Sequence, residues 1–321
     1  MSETQQSINP SRHFDELPDA PPKRKIKLSW AGKIGIAVLV FWAIIVVIGP
    51  SISPYHEAEF LDESLFIVPG SGEKYPDTDF QPPSRIVLLG SDYMGRDTLS
   101  RILFGARTTI GISFIATILA YLIGVTLGIA AAVGYRFQYR GFTIIELDTV
   151  LSRLNDALLS IPSIMLGLVM IAALGSTIPL LILLTGIIYA ASVFRIARSL
   201  GQEVMVSDFV EAARVRGEGL WWIITREILP NVAMPLATDF GLRFVWVILF
   251  ISALSFLGLG VQPPMSDWGS MVKENLPGLI YGSVAPLIPS LAIATLTISV
   301  NMIVDDISAQ TGGKLAKRMI S

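Results

Sequence analysis

The residues able to do chemistry are few, and their spacing does not suit catalysis. There is no cysteine, and the two histidines, His13 and His56, stand apart in polar segments without an HExxH spacing. Neither a thiolate nor an imidazole metal site has a ligand set, so both histidines read as solvated surface groups. Gly312, Gly313 and Lys314 lack the upstream glycine and the following hydroxyl of a phosphate-binding GxxxxGK[ST] loop. The chain therefore reads as a non-enzyme that binds no cofactor of its own. Two charge arrangements remain. Asp239 and Arg243 lie four residues apart in an apolar stretch, a spacing that pairs them on one helix face. They read either as a substrate contact or gate, or as a neutralised pair near the cytoplasmic end of a span with the arginine snorkelling. The other arrangement is EAARVRGEGLWWIITREILPN at 211–231, a dense run of charge between two long apolar stretches.

The elements that must position these residues follow from composition. Of 321 residues, 52% are hydrophobic and 16% charged, with a mean hydropathy of +0.61. Soluble domains carry about 25% charged residues, so the partner is a lipid bilayer. Net charge is only −2, which gives no basic field for nucleic acid. About 20 apolar residues suffice to cross the hydrocarbon core as a helix. Six stretches qualify, at 34–48, 108–133, 157–174, 178–194, 232–257 and 284–304, and the expected fold is an all-α membrane protein with six transmembrane helices.

Basic residues set the orientation. Arg12, Lys23, Arg24, Lys25, Lys27 and Lys33, then Arg136, Arg140 and Arg153, then Arg195, Arg198, Arg214, Arg216 and Arg226, then Lys314, Lys317 and Arg318 all flank the spans on one side. The positive-inside tendency places both termini in the cytoplasm of a multi-pass inner (plasma) membrane protein. The expected divisions are a disordered cytoplasmic tail at 1–30, a first transmembrane helix at 31–49, an extracytoplasmic loop at 50–107, a five-helix core at 108–306 containing a cytoplasmic loop at 201–231, and a cytoplasmic tail at 307–321. In the exterior loop Gly95 suits a turn, Asp97 suits a helix cap, and Leu99, Ile102, Leu103 and Phe104 recur at helical spacing, which predicts a helix lying at the membrane surface. Gly124 and Gly128 form a GxxxG that permits close helix packing. Pro289 and Asn301 in the sixth span read as polar glue or a break at a cavity wall. Trp268 reads as an interfacial anchor.

The eight charges from Glu203 to Glu227 keep the loop at 201–231 in water. Asp208 is the expected N-cap, with Glu211 three residues on; Ala212 and Ala213 propagate the helix, and Gly217 ends it. A second short helix over 220–228 is expected to stop at Pro230, where the fifth span starts anew. Helices this short do not persist alone in water, so something must pack on them.

These residues carry a resemblance. Glu211-Ala212-Ala213, Gly217 and Leu229-Pro230 resemble the cytoplasmic EAA loop of ATP-binding-cassette importer permeases. GSDYMGRDTLSRILFGART at 90–108 and LSFLGLGVQPPMSDWGSM at 254–271 resemble two blocks of the C-type subunit of dipeptide and oligopeptide permeases. The resemblance implies that Asp208, Glu211, Ala212, Ala213, Gly217, Leu229 and Pro230 form a coupling helix and corner docked on an ATPase. It also implies a B-type sister permease, two ATPase subunits that hydrolyse the ATP, and an extracytoplasmic solute-binding protein, with a peptide, opine or similar small solute as cargo. The competing expectation is a proton- or ion-coupled transporter or channel working alone, which needs ionisable residues in its spans; the second, third, fourth and sixth spans have none.

Overall fold

The computed structural model describes residues 28–62, 78–134 and 144–320, with side chains over 148–309 of the last stretch. The expected tail up to residue 27, the middle of the exterior loop at 63–77, Arg136, Arg140, and the side chains of Lys314, Lys317 and Arg318 lie outside the described residues. The regular structure is helical: α1 (Trp30–Ile52), α2 (Thr98–Gly134), α3 (Ile144–Ser160), α4 (Ser163–Leu174), α5 (Ile178–Met205), α6 (Asp208–Val215), α7 (Leu220–Trp222), α8 (Leu229–Phe256), α9 (Trp268–Asn275) and α10 (Leu287–Ile320). A π-helical turn over Ile223–Ile228 joins α7 to α8, and a 3-10 turn over Leu276–Tyr281 follows α9. By length and apolarity α1, α2, α5, the run Leu220–Phe256 and α10 can each cross a bilayer, and α3 with α4 makes a sixth passage if the bent pair counts as one. The chain is an all-α membrane protein with five or six spanning helices.

Three sequence expectations change. The third span is not one helix: α3 and α4 meet at 88°. Pro162 explains the bend, because it offers no amide N–H to the preceding turn and holds Ile161 out of the helical region. The 12 residues of α4 reach only about 18 Å, short of the roughly 30 Å hydrocarbon thickness. Nor do residues 98–107 form a separate surface helix. They are the first turns of α2, which runs unbroken to Gly134 and buries Ser100, Arg101, Ile102, Leu103, Gly105 and Ala106. Pro289 breaks nothing, since it stands in the first turn of α10, where a missing amide hydrogen has no partner to lose.

Contacts sort the helix termini into two ends. At one end the Ser29 amide donates to Asp306 Oδ2 at 3.0 Å, and Arg198 Nε meets Asp148 Oδ1 at 2.6 Å. Ile129 and Val133 of α2 pack there with Met205, Val210, Ile223, Ile228 and Val232. At the opposite end α9 docks on the start of α2. Trp268 is fully buried there, its ring 4.7 Å from that of Trp42 and its Nε1 donating to the Ile102 carbonyl at 3.2 Å. It is a core residue, and the interfacial reading fails because α9 folds back onto the helices instead of floating beside them. Asp97 caps α2 as expected, its Oδ2 accepting from the Ser100 amide at 2.8 Å. Asp267 caps α9 in the same way, accepting from the Ser270 amide at 3.1 Å. Burial pushes the Asp267 carboxyl up, while the donors Thr109, Ser270, Ser255 and Gly269 pull it down.

The ion pairs at this end form one buried network. Asp92 Oδ2 meets Arg96 Nε at 2.7 Å and Arg101 Nη1 at 2.5 Å, and Glu274 Oε2 meets Arg96 Nη2 at 3.2 Å and Arg101 Nη1 at 2.9 Å. Between the ends, α2 and α5 approach closely along the GxxxG stripe: a Cβ at Gly124 would stand 2.6 Å from Val193 Cβ and 2.8 Å from the Ala190 carbonyl oxygen.

Candidate functional site

Two places gather the residues singled out by the sequence. The first is the corner at the end that holds Ser29 and Met205. Ser207, not Asp208, occupies the N-cap position of α6, with extended backbone and no side-chain cap bond; Asp208 is the first helical residue and lies exposed. Its charge still faces the positive end of the helix. Glu211 is exposed and pairs with Arg214 at 2.9 Å.

α6 ends in a Schellman turn. The Gly217 amide donates to the Arg214 carbonyl at 2.9 Å and the Glu218 amide to the Ala213 carbonyl at 3.1 Å. Gly217 has φ +83°, the left-handed conformation that side chains resist, in open surroundings where nothing approaches within 4 Å of a Cβ.

The expected second helix over 220–228 does not stop at Pro230. α7, the π turn and α8 are continuous because the π register bypasses the proline: the Leu229 amide reaches back five residues to the Ile224 carbonyl. Asn231 Nδ2 then donates to the Glu227 carbonyl at 2.6 Å.

The corner is two-sided. Val210 and Ala213 point inward and pack with Met205, Ile223, Ile228 and Val232, while Ala212 faces out. Ala213 therefore supports the corner from beneath and has no surface to offer a partner. Leu229 is half-buried and Pro230 exposed. The outer face also carries apolar residues that the sequence reading passed over: Val215 is 81% exposed and Trp221 76%, with Phe209 and Leu220 beside them. Their charged neighbours hid them from a search for apolar periodicity.

The second place is the Asp239–Arg243 pair. Arg243 Nε lies 3.3 Å from Asp239 Oδ1 on the same helix, and the Tyr121 hydroxyl of α2 donates to Asp239 Oδ2. Arg243 stands at the midpoint of α8, 14 residues from Leu229 and 13 from Phe256. Tyr189 of α5 flanks the pair, its hydroxyl donating to the Trp246 carbonyl at 3.2 Å. Tyr121 and Tyr189 could not be joined to the pair from sequence, because only the packing of α2 and α5 on α8 brings them there. A cavity of about 400 Å³ between α1, α2, α8 and α10 is lined by apolar side chains such as Phe114, Phe244 and Leu296 and suits hydrocarbon more than a polar solute. Among the described residues no group of three or more His, Cys, Asp or Glu could hold a metal ion.

Residues 124–309 match the family model described as binding-protein-dependent transport system inner membrane component. A putative peptide transport system permease protein of Brucella suis biovar 1 is 36% identical over 226 residues, covering 70% of this chain and 73% of that protein. A glutathione transport system permease protein of Pectobacterium atrosepticum is 31% identical over 252 residues, covering 78% and 81%. A solved structure of the MetNI methionine ABC transporter in inward-facing conformations aligns over 64% of this chain and 96% of that chain at 16% identity, with a TM-score of 0.48, a likeness too partial to weigh.

Proposed function

The chain belongs to the family of binding-protein-dependent transport system inner membrane components, and we propose that it is the C-type permease subunit of an ATP-driven importer for peptide-like solutes. The peptide class comes from the relatives, whose names specify peptide and glutathione transport. In this reading a B-type permease completes the membrane domain, two ATPase subunits sit on the cytoplasmic side, and an extracytoplasmic binding protein delivers the solute. Both termini and the corner at 201–231 then lie in the cytoplasm of the inner membrane.

One observation carries the reading. The corner presents Val215 of α6 and Trp221 of α7 to the outside together with Asp208, Glu211, Arg214 and Arg216, and the eight-residue α6 is anchored from below by Val210 and Ala213. A rigid apolar knob ringed by charge is the surface of a part that fits into a partner's groove. When the paired ATPases close, a push on Trp221 passes into α8 through the continuous α7 and π turn, and a push on α6 passes through its packing on Ile223 and Ile228, so the movement reaches the spans as rigid-body rocking. No chemistry is required of this chain; its residues act by docking and by transmitting force.

The rival, a stand-alone ion-coupled transporter or channel, would use ionisable groups distributed along its spans. Asp239 and Arg243 of α8 are taken up with each other, and in the rival reading the corner would have no task. Cross-linking separates the two, and the cysteine-free sequence makes it clean. Single cysteines at Ala212, Val215 or Trp221 should join the ATPase subunit in the assembled complex. Cross-links only to this chain's own helices would overturn the importer reading.

A further inference from the structure

We propose that the cavity between α1, α2, α8 and α10 is a lipid site, which takes one acyl chain of a phospholipid from the surrounding bilayer. Only the passage of the chain through a bilayer is needed for this, not the importer reading.

The length of α1 fixes the depth of the cavity. Its 23 residues reach about 34 Å, against roughly 30 Å of hydrocarbon, so a bilayer has little room to slide along it. Leu39, Trp42 and Ala43 line the cavity and stand within two residues of the helix midpoint at Phe41. The cavity therefore lies near the middle of the hydrocarbon layer, where water and headgroups are absent.

The sequence explains why a hollow is left at that depth. Towards its ends α1 comes close to its neighbours at glycines: a Cβ at Gly35 would stand 2.7 Å from the Ser299 carbonyl oxygen, and one at Gly49 3.0 Å from that of Leu103. Between these two approaches the Trp42 indole is turned inward and buried, its Nε1 donating to Thr295 Oγ1 at 3.2 Å. Ala43 beside it is too small to fill the space that the indole props open, and about 400 Å³ remains.

The chemistry of the lining selects the occupant. Its two polar side-chain groups are both taken, Trp42 Nε1 by Thr295 and the Thr238 hydroxyl by the Met234 carbonyl at 3.1 Å. Water would find no partner there, and an empty void forfeits dispersion contacts over its whole wall. A cavity of about 150 Å³ lined by Leu, Ile and Phe already takes up benzene, so this one has room for a run of methylenes. Access is from the side, because Ala43 of α1, Phe114 of α2 and Ala237 of α8 line the cavity and are themselves exposed. At this mouth α1 is the least buried of the five spanning helices, and its outward residues Val40, Ile44 and Val47 are all apolar, the surface of a helix bathed in lipid. The hydrocarbon outside is thus continuous with the mouth.

The test uses the full chain with the subunits it purifies with, in vesicles of bacterial phospholipid containing a phosphatidylcholine that carries a diazirine midway along one acyl chain. After irradiation and digestion, mass spectrometry reads which residues hold the lipid. Adducts are expected on Phe244, buried at the inner wall, as well as on Ile44 and Val47 of the outward face. A43F and A237F each narrow the mouth and should lower the Phe244 adduct about threefold or more, leaving Ile44 and Val47 unchanged. Both alanines are exposed, so neither change cuts into the core, and one variant suffices if the other fails to assemble. Adducts confined to the outward face would overturn the proposal, as would a Phe244 adduct that the variants leave unchanged. A43C and A237C in the cysteine-free chain supply the remaining arm. Joining of either cysteine to another subunit by a short bifunctional maleimide would mean that protein seals the mouth, and would also overturn the lipid site.

Discussion

Arg101 Nη1 lies 2.9 Å from Glu274 Oε2 and joins the first turn of α2 to the last turn of α9. The same nitrogen meets Asp92, so one guanidinium ties the loop before α2 and the helix after α8 together in a dry setting. Buried ion networks of this kind contribute little net stability over an apolar replacement, but removing one member strands the others.

R101M is expected to cost about 3–5 kcal/mol, because Asp92 and Glu274 would then share only Arg96. Hydrogen exchange should rise at 91–101 and 268–275 and stay unchanged at 208–228, at the opposite end of the molecule. The double variant R101M/E274Q should recover part of the loss, since it removes the stranded charge with its partner. Equal protection in R101M and the parent chain would show that the network holds nothing in place.

At the corner, W221S and V215S should separate folding from docking. Both side chains are largely exposed, so either change should alter the stability of this chain by less than about 0.5 kcal/mol. Copurification of the ATPase should nevertheless fall steeply. A213W offers the converse, because Ala213 is packed against the α8 junction and a large side chain there should disturb the corner itself. Serine variants that copurify normally would leave the apolar knob without a role.

Gly217→Val should strain the corner by about 1–2 kcal/mol through its φ of +83° alone, as no neighbour stands in the way of the added atoms. Gly217→Asn should cost much less, because asparagine tolerates the left-handed region. Uptake by the assembled importer should follow that order, with ATPase binding retained in the Asn variant. Equal uptake in both variants would mean that the corner's angle does not matter.

How much was legible in sequence depended on whether a residue's role is set locally. Gly217 was readable because a left-handed helix stop follows from chain neighbours, and Asp97 for the same reason. The long apolar runs mark α1, α2, α5, α8 and α10 as spans. Pro162 announces the 88° bend between α3 and α4, yet the apolar run on both sides outweighed it. The role of Arg101 is not legible in sequence because its acidic partners, Asp92 and Glu274, come from a loop and from a helix over 170 residues away. The continuity of α7 with α8 through Pro230 was not legible, because the π turn over Ile223–Ile228 that carries it is a backbone register no residue type announces.

A close approach of two helices gives the last prediction. Gly124 lies where α2 crosses α5, with Val193 Cβ 2.6 Å and the Ala190 carbonyl oxygen 2.8 Å from the position of an added Cβ. One of those neighbours is backbone and the other is a β-branched side chain fixed by its own helix, so neither can yield without moving α5 as a whole. Gly124→Ala should therefore already destabilise by about 1–3 kcal/mol, and Gly124→Leu by more. Gly111, on the same helix, has nothing within 4 Å of its Cβ position and serves as the control: Gly111→Ala should be neutral or stabilising by up to about 1 kcal/mol through helix propensity. Thermal aggregation midpoints of the assembled complex would rank the three variants. If Gly124→Ala behaved like Gly111→Ala, the tight α2–α5 crossing would not exist in the membrane, and the rigid frame that carries corner movement to mid-span would lose one of its sides.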